Sequence, residues 1–82
     1  MATLVPHAEL AKLLGNQTMS TNARNIGELI DEVRSRLDEK SWDKMKRSTI
    51  LVNGRNINSL QGQDTPLGPS DIVWMIVPSA GG

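Results

Sequence analysis

Apolar residues recur along this chain with two periods. From Asn25 to Asp38, Ile26, Leu29, Ile30, Val33 and Leu37 stand three or four apart, which draws one stripe along an α-helix. Asn25 suits the N-cap, and Glu28 three residues later gives a loose capping box. Glu28, Asp31, Glu32, Arg34, Arg36 and Glu39 fill the opposite face, acids first and bases after, in the sense the helix dipole favours. The pattern predicts a helix over 25–38 that covers one face of a sheet. A shorter helical pattern, Leu10, Leu13 and Leu14, follows Pro6 and stops at Gly15.

Strand patterns lie on either side. Ala2–Val5 is a short apolar start, and Gln17–Ser20 can return against it as a wide hairpin. Thr49–Val52 is rich in β-formers, Asn53-Gly54 is a tight-turn signal, and residues 55–58 read as a return strand. Residues 60–70 form a turn-rich crossing into a last strand, Asp71–Val77. Between helix and strand, Asp38–Ser48 is polar and mixed in charge apart from Trp42 and Met45, and reads as a connector. Trp42 is expected to cap the end of the helix.

The order strand–strand–helix–strand–short strand–strand is that of an α+β, β-grasp domain: a mixed sheet under one main helix, first and last strands adjacent at the centre. Other α+β folds share that order. The predicted core is Ile26, Leu29, Ile30, Val33 and Leu37 with Ile50, Val52, Val73 and Met75. Residues 1–78 form the expected domain and residues 79–82 a flexible tail.

Eighty-two residues leave room for one small domain. With no cysteine and one histidine, His7, thiol nucleophiles, disulfide frameworks and zinc ribbons are excluded. His7 itself reads as a solvated turn residue, and no metal site is expected. Nine basic residues balance nine acidic ones, so no global field attracts nucleic acid or a membrane. Two tryptophans are the only aromatic residues, too few for base stacking. Lys44, Lys46 and Arg47 make a small basic cluster, read as a solvated connector rather than a dock for an acidic partner. The longest apolar run, Ile72–Val77, is too short to span a bilayer, and no secretory signal is visible, so a cytoplasmic protein is expected.

Candidate chemistry gathers at the end of the sequence. An apolar strand leads through Pro78 into Ser79-Ala80-Gly81-Gly82, a thin arm ending in a carboxylate. Glycine lets a partner's backbone approach closely, so such an arm can thread a narrow channel and place its carboxylate in another protein's active site. Val52-Asn53-Gly54, Leu60-Gln61-Gly62, Asp64-Thr65-Pro66-Leu67 and the closing Ile76–Gly82 resemble the MoaD/ThiS sulfur-carrier family, prokaryotic relatives of ubiquitin. The resemblance in motifs spans about residues 49–82, and the first half agrees only in element order.

The resemblance implies a carrier that is not itself an enzyme. Gly82 would be adenylated by an E1-like enzyme that consumes ATP, then converted to a thiocarboxylate that donates sulfur to a synthase subunit. Gly81, Ala80 and Ser79 would be the spacer. No cofactor is expected to be bound, and the free protein is expected to be a monomer. Leu4-Val5-Pro6-His7 lacks the aromatics usual in molybdopterin-synthase small subunits. The Val-Pro start and the stretch from Leu60-Gln61-Gly62 to Asp64-Thr65-Pro66-Leu67 look more like carriers associated with cysteine synthesis and their unassigned relatives, and the chain is longer than a typical thiamin-pathway carrier. A modifier joined through Gly82 to lysines, and a plain interaction module, are the rival readings.

Alternation along the last strand separates Val73, Met75 and Val77 from Ile72, Trp74 and Ile76. If the first set meets the helix, the second faces outward with Leu51 as a docking patch, Trp74 its anchor. The alternative is that residues 38–48 and 60–70 cover that face as well.

Overall fold

The computed structural model describes residues 1–7, 9–15 and 17–76. In chain order the elements are β1 (Ala2–Pro6), α1 (Glu9–Leu13), β2 (Met19–Thr21), α2 (Ile26–Ser35), α3 (Glu39–Met45), β3 (Thr49–Val52), β4 (Arg55–Asn56) and β5 (Ile72–Ile76). Single 3-10 turns at Ile57–Ser59 and Gly62–Asp64 lie between β4 and β5. The strands form one mixed sheet in the order β2-β1-β5-β3-β4. Parallel β1 and β5 pair at its centre, and every other neighbouring pair is antiparallel. This is the α+β architecture read from the element order, with the first and last strands side by side.

Helix α2 begins where its cap residue dictates. The Asn25 side chain accepts from the Glu28 backbone N–H at 2.8 Å, while Glu28 Oε1 accepts from Arg24 N–H at 2.8 Å. The first bond satisfies an amide that the first turn leaves without a helical partner, and the second ties the residue before the cap back onto that turn. Its buried stripe, Ile26, Leu29 and Val33, meets Leu4, Ile50, Val52, Val73 and Met75 from the sheet. Full burial of each aliphatic side chain contributes about 2 kcal/mol. Thr21 ties the edge strand to the helix: its hydroxyl donates to Glu32 Oε1 at 2.6 Å and accepts from Ala23 N–H at 3.0 Å.

Several details differ from the sequence reading: β1 runs on through Pro6, and β2 is Met19–Thr21 rather than 17–20. The helix ends at Ser35 rather than 38, because the chain turns at Arg36–Leu37 and Asp38 becomes the N-cap of a new helix. Ile30 and Leu37 are only half-buried: Ile30 lies on the flank of the stripe and Leu37 past the helix end. The supposed connector 38–48 is largely helix α3. Asp38 accepts from Ser41 N–H at 2.7 Å, and Met45 plugs the core at 0% exposure while Trp42 packs on its edge. The Trp42 ring lies 5.7 Å from the Arg34 guanidinium, at the last turn of α2, where a capping tryptophan was expected. Finally, the return strand stops at Asn56, whose side chain accepts from Asn58 N–H at 2.9 Å and starts a 3-10 turn that buries Ile57.

Candidate functional site

Strand β5 is built into the middle of the sheet, and its register decides what surrounds it. Val73 lies beside Leu4 and Val52, and Met75 beside Ile50, all buried under the helices. The alternate residues face the other way. Trp74 sits between Val5 and Leu51, Leu51 beside Asn56, Ile72 beside Thr3, and Ile76 beside Thr49. Ile72 is 44% and Trp74 36% exposed, while Leu51, Ile76 and Val5 are half-buried. Neither α3 nor the 3-10 turns cover this face, so of the two arrangements weighed from the sequence the open one is observed. None of these outward residues carries a charge, which leaves an uncharged, partly apolar surface in the centre of the sheet.

Val5 was not foreseen as part of this surface. Only the parallel pairing of β1 with β5 brings it beside Trp74, and nothing local in Leu4-Val5-Pro6 shows that neighbour.

The start of β5 is pinned by a clasp from the β3–β4 turn. Asn53 adopts φ 52° and Gly54 φ 86°, the left-handed conformations a two-residue hairpin turn requires. From that turn Asn53 Nδ2 donates to Asp71 Oδ1 at 2.9 Å, and Asn53 Oδ1 accepts from Ile72 N–H at 3.0 Å. The second Asp71 oxygen accepts from Gly68 N–H at 2.7 Å. These donors hold the Asp71 carboxyl below its ordinary range, the Gly68 N–H most and the Asn53 amide next. Asp71 therefore begins the strand as an anchor rather than as a member of it.

At its other end β5 reaches Ile76, beside Thr49. Val77 and the tail residues Ser79, Ala80, Gly81 and Gly82 lie outside the described residues. His7 is exposed just after β1, as expected of a solvated turn residue. Lys46 pairs with Asp43 at 3.1 Å on the exposed end of α3. Among the described residues no group of three or more His, Asp or Glu side chains converges to hold a metal ion, and no helix is long and apolar enough to cross a membrane.

Comparison with known proteins adds a family and a set of neighbours. The model of the ThiS family matches residues 7–82. No curated protein sequence matches the chain. Small archaeal modifier protein 1 of Methanosarcina acetivorans superposes with a TM-score of 0.83 at 19% identity, over 99% of this chain and 95% of that one. A chain of the Amycolatopsis orientalis BexX/CysO complex gives 0.79 at 18% identity, with 100% of both chains covered. Urm1 of Trypanosoma brucei gives 0.74 at 18% identity, over 99% of this chain and 94% of that one. At these identities the neighbours establish the shared ubiquitin-like β-grasp fold.

Proposed function

The chain belongs to the ThiS family, and from that membership we propose that it is a sulfur carrier whose Gly82 carboxylate is adenylated and then converted to a thiocarboxylate. The observation that carries the reading is that the family match extends from residue 7 to Gly82 and so includes Gly81 and Gly82. The sulfur goes to a biosynthetic acceptor of the molybdopterin or cysteine type, and the protein acts as a co-substrate without catalytic groups of its own.

The chemistry sets what the partners must do. A carboxylate is a poor electrophile, so an E1-like enzyme spends ATP to attach AMP as a leaving group. Sulfide then displaces AMP at the acyl carbon. The acyl adenylate must be kept from water, so the enzyme has to enclose the arm, and side chains at 81 and 82 would obstruct that enclosure. Binding energy for this comes from the folded domain. The uncharged face around Trp74 lies on the strand that leads into the arm, so a partner gripping Ile72, Trp74, Ile76 and Leu51 aims the tail at its own active site. The neighbour CysO is named in a complex with BexX, which supports a carrier of this shape working against a partner enzyme.

The test is ATP–pyrophosphate exchange with the cognate adenylating enzyme. Exchange should require Gly82, and deletion of Gly82 should abolish it while the melting curve stays unchanged. Exchange that persists without Gly82 would refute the proposal. A second reading, conjugation through Gly82 to lysines of other proteins, is favoured by the likeness to an archaeal modifier protein. It predicts larger covalent species in the native host that disappear with the same deletion.

A further inference from the structure

We propose that Asn53-Gly54 is a latent site of deamidation, held unreactive in the folded protein by the clasp between Asn53 and the start of β5. The reaction needs no enzyme. The backbone nitrogen of Gly54 attacks Cγ of Asn53, a C–N bond forms, and the bond from Cγ to Nδ2 breaks. Ammonia leaves, carrying away the proton that the Gly54 amide loses. Water then opens the resulting five-membered imide at either carbonyl, giving aspartate or isoaspartate.

Six asparagines occur in the chain, followed by Gln17, Ala23, Ile26, Gly54, Ile57 and Ser59. Only Asn53 precedes glycine, so only there does the attacking nitrogen carry no neighbouring side chain that hinders ring closure. Both residues are exposed, and nothing lies within 4 Å of the position a Gly54 side chain would take. Sequence and access alone would make this amide the first to react.

The fold opposes the attack. Both polar atoms of the Asn53 side chain are engaged, at 2.9 Å with Asp71 and 3.0 Å with Ile72 N–H. Cγ cannot swing toward Gly54 N until both bonds open. The same bonds explain why asparagine stands here. Aspartate also suits such a turn, but its carboxylate would face that of Asp71 at hydrogen-bond separation, without the donor that Nδ2 supplies. The clasp therefore requires the residue pair that carries the chemical weakness. Once converted, the site cannot reclose as before: aspartate repels Asp71, and isoaspartate also inserts a methylene into the main chain beside the Val52–Arg55 pair. Either product loosens the start of the strand that presents Ile72 and Trp74.

The test follows intact mass and isoaspartate content of the full chain, aged in mildly alkaline buffer with and without denaturing urea. In urea, Asn53 should be the first asparagine to gain the one-dalton deamidation shift. In the folded wild type it should react at least several-fold more slowly. Asp71→Ala, which removes one of the two bonds and leaves the one from Ile72 N–H, should raise the rate in buffer part of the way toward the unfolded value. The exchanged pair Asn53→Asp with Asp71→Asn rebuilds the side-chain bond with donor and acceptor reversed and keeps an acceptor oxygen for each of the Ile72 and Gly68 N–H groups; it should melt near the wild type, whereas Asn53→Asp alone melts lower. If Asp71→Ala fails to fold, the urea ratio and the exchanged pair decide. Equal rates at Asn53 in folded and unfolded protein, earlier reaction at another asparagine, an unchanged rate in a folded Asp71→Ala, or an exchanged pair no better than Asn53→Asp alone would each overturn the proposal.

Discussion

Single side chains in this protein divide between those that fill the core and those that fasten its strands. Leu29 is 1% exposed at the centre of the helical stripe, so Leu29→Ala should cost about 3 kcal/mol in urea unfolding. Ile30→Ala, on the flank, should cost clearly less, and equal losses would contradict the placement of the stripe. Asp71 fastens. Its folded pKa lies below the ordinary 3.8, so it contributes stability above its unfolded pKa and loses it as pH falls through the depressed folded value. The melting temperature should therefore decline on acidification below about pH 4. Asp71→Asn should lie lower at neutral pH and converge with the wild type in acid. Parallel curves would show that the carboxylate bonds contribute nothing. None of this clasp was legible beforehand, because its partners stand 18 residues apart in sequence and meet only through the pairing of β3 with β5.

Elements were legible to the degree that their patterns were long. Ten residues of α2 carry enough stripe and a capping signal to be read directly. Seven-residue α3 was missed because two apolar positions, Trp42 and Met45, do not make a period by themselves. Asp38 with Ser41 three residues on was its one local signal, and it is also what cuts α2 short. Met45 is fully buried, so Met45→Ala should cost about 3 kcal/mol; a connector residue would show almost no loss in the same denaturation measurement. Asp38→Ala should lower stability slightly and Asp38→Asn, which keeps a capping oxygen, should not. The two-residue β4 illustrates the opposite limit, since a side-chain cap at Asn56 ends it sooner than β-propensity suggests.

At the scale of the whole molecule, topology converts a modest sequence pattern into a surface. Putting β5 in the centre of the sheet buries one side of it under α2 and leaves Ile72 and Trp74 open on the other. The alternation was readable; that no other segment among the described residues covers the second face was not, because coverage depends on where α3 and the 3-10 turns pack. If the open face serves docking, Trp74→Ala should weaken binding to the adenylating enzyme or sulfur acceptor by ~2 kcal/mol or more and change unfolding much less. In a Trp42→Phe background, Trp74 emission should be that of a solvent-exposed indole. Emission at a buried wavelength, or lost stability with unchanged partner affinity, would contradict the docking role.

The most direct test of the account is the mass of the C-terminal peptide from protein isolated from its native host under active sulfur metabolism. The account predicts that a fraction of the Gly81-Gly82 peptide is heavier by the difference between sulfur and oxygen, and reverts to the carboxylate on alkylation and hydrolysis. A Gly82 that carries only oxygen under those conditions, with an adenylating enzyme present and active, would contradict it.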